Sequence, residues 1–108
     1  MNPVPITFDE RVMQTDGAGK MVADGKPISE VLAPGAAWWS HKADGTPQVL
    51  HFVCPCGCGT EGGCPVYAGS GGWTYIGLKE MPTLQPSVRM ISKCGWHGFL
   101  TNGIWTPC

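Results

Sequence analysis

Five side chains in two short stretches carry soft or borderline-soft metal ligands. Cys54, Cys56 and Cys58 alternate with Pro55, Gly57 and Gly59, and Cys94 and His97 form a Cys-x-x-His step in Cys94-Gly95-Trp96-His97-Gly98. Thiolates and neutral imidazole bind zinc, and thiolates also hold iron–sulfur clusters. A tetrahedral site takes four ligands, so one of the five is spare. The preferred set is Cys54, Cys56, Cys94 and His97, with Cys58 as the substitute for one of the first pair. The intervening glycines let the backbone turn tightly around an ion and aim amides at sulfur. Four protein ligands leave no open coordination position, which points to a structural centre whose binding energy is folding energy.

The remaining reactive side chains make weaker cases. Six cysteines allow three disulfides, but Cys-x-Cys-x-Cys neighbours cannot each bridge outward comfortably. Cys64, in a Gly-Gly-Cys-Pro loop, and Cys108 are expected to be non-ligands. His41 and His51 fall on expected strands without partner thiols, and the five tryptophans read as core and rim packing. Gly69-Ser70-Gly71-Gly72 lacks the Lys and Ser/Thr of a phosphate loop. No catalytic set emerges: there is no paired-carboxylate arrangement, Ser and His fall into no recognisable nucleophile motif, and the zinc deaminase His-x-Glu is absent.

Short strands must position the two Cys loops, because 16 Gly and 10 Pro in 108 residues leave little room for long helices. Ala37–Ser40 and Gln48–Val53 read as two strands joined by a turn over residues 43–47, and the second runs straight into Cys54. A Gly-rich loop follows, then strands over Trp73–Leu78 and Ser87–Ile91, the latter delivering the chain to Cys94. Asn102-Gly103 between alternating β-formers predicts a type I′ hairpin. Residues 1–34 are weakly patterned and read as an irregular arm suited to packing on a partner or a second copy. Within it, Asp16-Gly17 and Asp24-Gly25 can tip small hairpins, and Pro27 to Leu32 can make one helical turn. Residues 35–108 then form a metal-binding β domain: mostly β, small, antiparallel, with a metal site held by two loops in the manner of zinc ribbons and Rieske domains.

A net charge of -1 gives no footprint for nucleic acid or acidic membranes. No apolar run approaches the ~18–20 residues that span a bilayer. The start, Met1-Asn2-Pro3-Val4-Pro5, lacks the basic and apolar segments of a secretory signal. A reducing compartment is therefore expected, where clustered cysteines serve metals more often than disulfides.

Two resemblances follow from these motifs. Phe52-Val53-Cys54-Pro55-Cys56-Gly57-Cys58-Gly59, then Trp73, Thr83-Leu84-Gln85-Pro86-Ser87-Val88 and Cys94-x-x-His97 resemble the bacterial and phage domain of unknown function numbered 6527 over residues 34–108. That resemblance implies a small β domain with a metal site, found in bacteria and phages and in some cases beside ubiquitin-like conjugation genes. Members typically carry Ser before the second-loop His, where this chain has Trp96. Locally, Cys94-Gly95-Trp96-His97-Gly98-Phe99 is similar to the second cluster loop of Rieske proteins, with Cys56 standing where one of their two His belongs.

The function expected from the sequence is a small zinc-binding module, of phage or bacterial accessory or structural type, that acts by binding a protein or itself. It would reside in the bacterial cytoplasm, or in the virion or host cytoplasm if of phage origin. The alternative is a Rieske-like [2Fe–2S] electron-transfer protein, and a metal-dependent enzyme is the least favoured of the three.

Overall fold

Alternating apolar residues and tight turns set the architecture. In the computed structural model, residues 3–8, 14–15, 21–23, 26–90 and 94–108 are described. The elements in chain order are β1 (Val4–Pro5), β2 (Thr7–Phe8), β3 (Gln14–Thr15), β4 (Met21–Ala23), β5 (Lys26–Pro27), the single-turn α1 (Ile28–Val31), β6 (Ala36–His41), β7 (Pro47–Val53), β8 (Glu61–Pro65), β9 (Thr74–Leu78), β10 (Met81–Gln85), β11 (Val88–Arg89), β12 (His97–Thr101) and β13 (Ile104–Pro107). They make two four-stranded sheets, ordered β1-β13-β12-β11 and β2-β6-β7-β8, a β9-β10 hairpin, and a small β3-β4-β5 sheet. Every pairing is antiparallel except β2 with β6. The protein is thus a small, mostly β domain.

The two larger sheets share one core. Ala37, Leu50 and Phe52 come from the β6–β7 pair, and Val88, Leu100 and Trp105 from the other sheet. Period-two alternation explains why β6 has two apolar faces: Ala37 enters this core, while Ala36 and Trp38 face a second cluster with Ile28 and Leu32 of the α1 region. Trp105 is fully buried, lies 4.6 Å from Phe52 between ring centroids, and donates its indole N–H to Gly35 O at 3.0 Å. Each such side chain contributes about 1.5–3 kcal/mol by burial alone.

The Asn102-Gly103 hairpin forms as its local sequence demands. Both residues take positive φ, 48° and 76°, the pair of angles that a type I′ turn needs. Elsewhere the chain departs from expectation. Glu61-Gly62-Gly63-Cys64-Pro65, read as loop, is strand β8, because its pairing with β7 from Val49↔Pro65 to Val53↔Glu61 overrides the poor strand propensity of Gly and Pro. Met81–Gln85 likewise forms β10 against β9. The strand expected over Ser87–Ile91 is described only as Val88–Arg89; Ile91 lies outside the described residues. At the N-terminus, Val4–Pro5 pairs with β13 and Thr7–Phe8 with β6, so these residues join both main sheets. The Asp16-Gly17 and Asp24-Gly25 turns lie outside the described residues.

Candidate functional site

Strand β7 ends at Val53 and projects Cys54 to Cys58 as a tight loop, which Cys54 closes by donating its N–H to Thr60 O at 2.7 Å. Gly57 sits at φ +91° inside this loop, and Gly95 at +78° inside the second, both in the left-handed region that a side chain resists. The second loop arrives between β11 and β12, with Met90 donating to Trp96 O at 2.8 Å and Gly95 to Met90 O at 3.1 Å.

These loops bring Cys54, Cys56, Cys58 and Cys94 together, with all four Sγ atoms within 4.8 Å of one another. Cys54 Sγ lies 3.3 Å from both Cys56 Sγ and Cys94 Sγ, and the latter two are 3.5 Å apart. Zinc–sulfur bonds of ~2.3 Å at tetrahedral angles put sulfurs ~3.8 Å apart, so the group fits one ion of that kind. All six cysteines are free of disulfides. Burial pushes the Cys54 thiol up, while hydrogen bonds from the Thr60 hydroxyl and N–H hold Cys58 down to about 6. The four residues can therefore bind a metal ion, and a cation is the natural partner for sulfurs crowded this closely.

His97 is not in this group. Its Nε2 lies 2.8 Å from Ser87 Oγ, and Cys58 occupies the place among the four that the sequence had offered to His97. His97 opens β12, opposite Arg89 of β11, and its ring reaches the Ser87 hydroxyl rather than the sulfur group. Among the described residues no imidazole joins the sulfur group, so the histidines of a Rieske centre are missing. Cys64 is buried in the core, where desolvation pushes its thiol up to about 12.

Ser87 and His97 are set by the same strand geometry. Val88 and Met90 are buried in the core, so Ser87 and Arg89 face outward by alternation, beside His97. Trp73 fixes the Ser87 carbonyl by donating its indole N–H at 3.2 Å, and Cys108 N–H donates to His97 O at 3.0 Å. Gly98, next to His97, sits under Trp96: a Cβ there would lie 2.4 Å from Thr106 O and 2.7 Å from Trp96 Cη2. The Ser87 hydroxyl and the His97 imidazole make a dyad. A hydroxyl in reach of an imidazole is the starting arrangement for nucleophilic acyl transfer. Sequence inspection missed it because the two residues stand ten positions apart, on either side of a metal-type loop; Ser87 in the Thr-Leu-Gln-Pro-Ser run was the available signal.

A second Ser–His pair lies in the other sheet. His51 Nε2 is 3.2 Å from Ser40 Oγ across β6–β7, with the ring stacked on Trp38 at 5.5 Å and 9°. Burial holds the His51 ring below its ordinary value. His41 Nε2 accepts from Lys79 Nζ at 2.7 Å on the surface.

Residues 23–108 match the model of the family described as bacterial ubiquitination-like system serine protease (BubE). This corrects the resemblance to the domain of unknown function numbered 6527: short Cys-Gly motifs report metal-loop chemistry, which separate families can share. No curated protein and no solved structure matches the chain.

Proposed function

The chain belongs to the BubE family of bacterial ubiquitination-like system serine proteases, and from that premise we propose that it is a serine protease whose nucleophile is Ser87 and whose general base is His97. The observation that carries this reading is the 2.8 Å contact between Ser87 Oγ and His97 Nε2. With its proton on Nδ1, the imidazole accepts the Ser87 hydroxyl at Nε2. Oγ attacks the scissile carbonyl carbon while its proton passes to Nε2, giving a tetrahedral intermediate. Collapse breaks the bond to the leaving group, which takes that proton from Nε2, and leaves an acyl ester on Ser87. Water then attacks the ester by the same proton route and restores the hydroxyl. The family description, a ubiquitination-like system serine protease, supports a ubiquitin-like precursor or conjugate as the substrate.

The metal in this reading is zinc, held by Cys54, Cys56, Cys58 and Cys94. Four thiolates close its coordination shell, so its chemistry is structural: it fixes the loop that carries His97, three residues after Cys94. His97 is thereby a catalytic residue, and Cys94 a positioning one.

The test is labelling with a fluorophosphonate, followed by peptide mass mapping. Wild type should carry one label on Ser87, and Ser87→Ala and His97→Ala should lose it. A label that persists in Ser87→Ala, or maps to Ser40, would sink the assignment. Metal analysis of the purified protein should find one zinc per chain; visible absorption with iron would replace zinc by an iron centre.

A further inference from the structure

Two strands at the edges of the main sheets face each other across a cleft of about 160 Å³, lined by Gly62 and Gly63 of β8, by Val88, Arg89 and Met90 at β11, and by Trp73. The direction of their main-chain groups follows from the hydrogen bonds. Val66 donates to Gln48 O, and Cys54 to Thr60 O, so even-numbered residues of β8 face β7 and Gly63 faces outward. Trp73 confirms this parity by donating its N–H to Pro65 O at 2.9 Å. In the same way Met90 donates to Trp96 O, so Val88 and Met90 face β12 while the N–H and C=O of Arg89 point away from the sheet. Among the described residues neither Gly63 nor Arg89 has a main-chain partner on that outward side.

An edge strand with open N–H and C=O groups is a template for another strand. This one begins immediately after the nucleophile, and Trp73 both lines the cleft and holds the Ser87 carbonyl. Resting on the protease reading above, we propose that the segment of substrate on the acyl side of the scissile bond docks as an extended strand added to β11, hydrogen-bonded to the main chain of Arg89. The substrate class is thus an extended segment recognised mainly through its backbone.

The experiment compares two probes with one reactive group: a diphenyl phosphonate on a single alanine analogue, and the same group on a tri-alanine chain. In each, a bond forms from Ser87 Oγ to phosphorus, phenoxide leaves, and the serine proton reaches it through His97. Wild type should label faster with the longer probe by about tenfold, the worth of one or two ordinary main-chain hydrogen bonds. Arg89→Pro deletes the outward N–H without removing a bond inside the sheet, a position that edge strands tolerate. It should erase the advantage while the short probe still labels. Arg89→Ala keeps the main chain and should retain the advantage. N-methylation of the tri-alanine probe, applied to wild type, makes the same test without altering the protein.

A longer probe with no advantage in wild type, or an advantage that survives both Arg89→Pro and N-methylation, would overturn strand addition and leave the dyad standing. An equal loss in Arg89→Ala would assign the effect to the guanidinium and also overturn it. Failure of a simple fluorophosphonate to reach Ser87 in wild type would remove the protease reading, and strand addition with it.

Discussion

Among the described residues the molecule holds two Ser–His pairs, one on each main sheet, and their surroundings differ. Ser87 and His97 lie 2.8 Å apart beside the edge strand β11, and His97 stands three residues from a cysteine of the sulfur group. Ser40 and His51 lie 3.2 Å apart on paired strands inside the other sheet, with the imidazole flat against Trp38. Proximity of hydroxyl and imidazole is common to both. What differs is the strand beside the hydroxyl: Ser87 directly precedes the edge strand β11, where Arg89 turns its main-chain groups outward, whereas Ser40 lies on β6, inside its sheet.

The largest effect should come from swapping alanine into each pair. Ser87→Ala is expected to lower kcat/KM by about 10⁴-fold or more, as loss of a serine nucleophile does elsewhere, while Ser40→Ala leaves it unchanged. Steady-state cleavage of a ubiquitin-like precursor measures both. Equal losses at the two sites would erase the distinction drawn between them.

Next in size is the metal loop, which supports one imidazole and not the other. Cys94→Ser should leave the protein without its ion and, because binding energy there is folding energy, melt the domain at far lower temperature. Cys64→Ala, in the core under β7, should keep one ion per chain and cost about 1–2 kcal/mol for the cavity. Thermal melts with parallel metal analysis distinguish them. An ion retained in Cys94→Ser, with an unchanged melt, would remove the loop from the support of His97.

These contrasts also show which parts of the protein were legible in its sequence. The thiol loops were, because soft ligands two residues apart with glycines between them have few other uses. The choice of Cys58 over His97 was not, since it depends on β12 starting at His97 and turning the ring toward β11. The Asn102-Gly103 turn was legible because its two positive φ angles are a local property. Strand β8 was not: Gly62 and Gly63 carry no strand signal and are ordered by β7 alongside. The Ser87–His97 pair was the least visible, joining residues from separate strands by a contact that no local pattern encodes.

A third contrast uses the glycine beside each imidazole. Gly98 follows His97, and an alanine Cβ there would meet Thr106 O at 2.4 Å and the Trp96 ring at 2.7 Å. Gly98→Ala should cost about 1–3 kcal/mol by overpacking and slow Ser87 labelling as Trp96 shifts. Gly63 stands opposite His51, where a Cβ would find Val49 Cγ1 at 3.5 Å, an ordinary contact. Gly63→Ala should leave stability unchanged. Denaturant midpoints for the two variants make the comparison, and equal shifts would defeat it.

The smallest effect is electrostatic and belongs to the pair at His51. Burial holds the folded His51 below the ordinary value of 6.5, so the neutral ring is favoured in the folded chain. Below that value the unfolded chain binds more protons than the folded one, so stability falls as pH falls and levels off once the folded ring is itself charged. The contribution is fully present above 6.5, and the window of loss lies beneath it. His51→Gln can keep a hydrogen bond to Ser40 but cannot titrate. Its denaturation midpoint should fall less than that of wild type between about pH 8 and about pH 5, with the two curves closest above 6.5 and separated by a steady gap at the acid end. Other ionisable groups are common to both proteins and cancel in the difference. Parallel curves would mean that the ring against Trp38 is protonated as easily folded as unfolded.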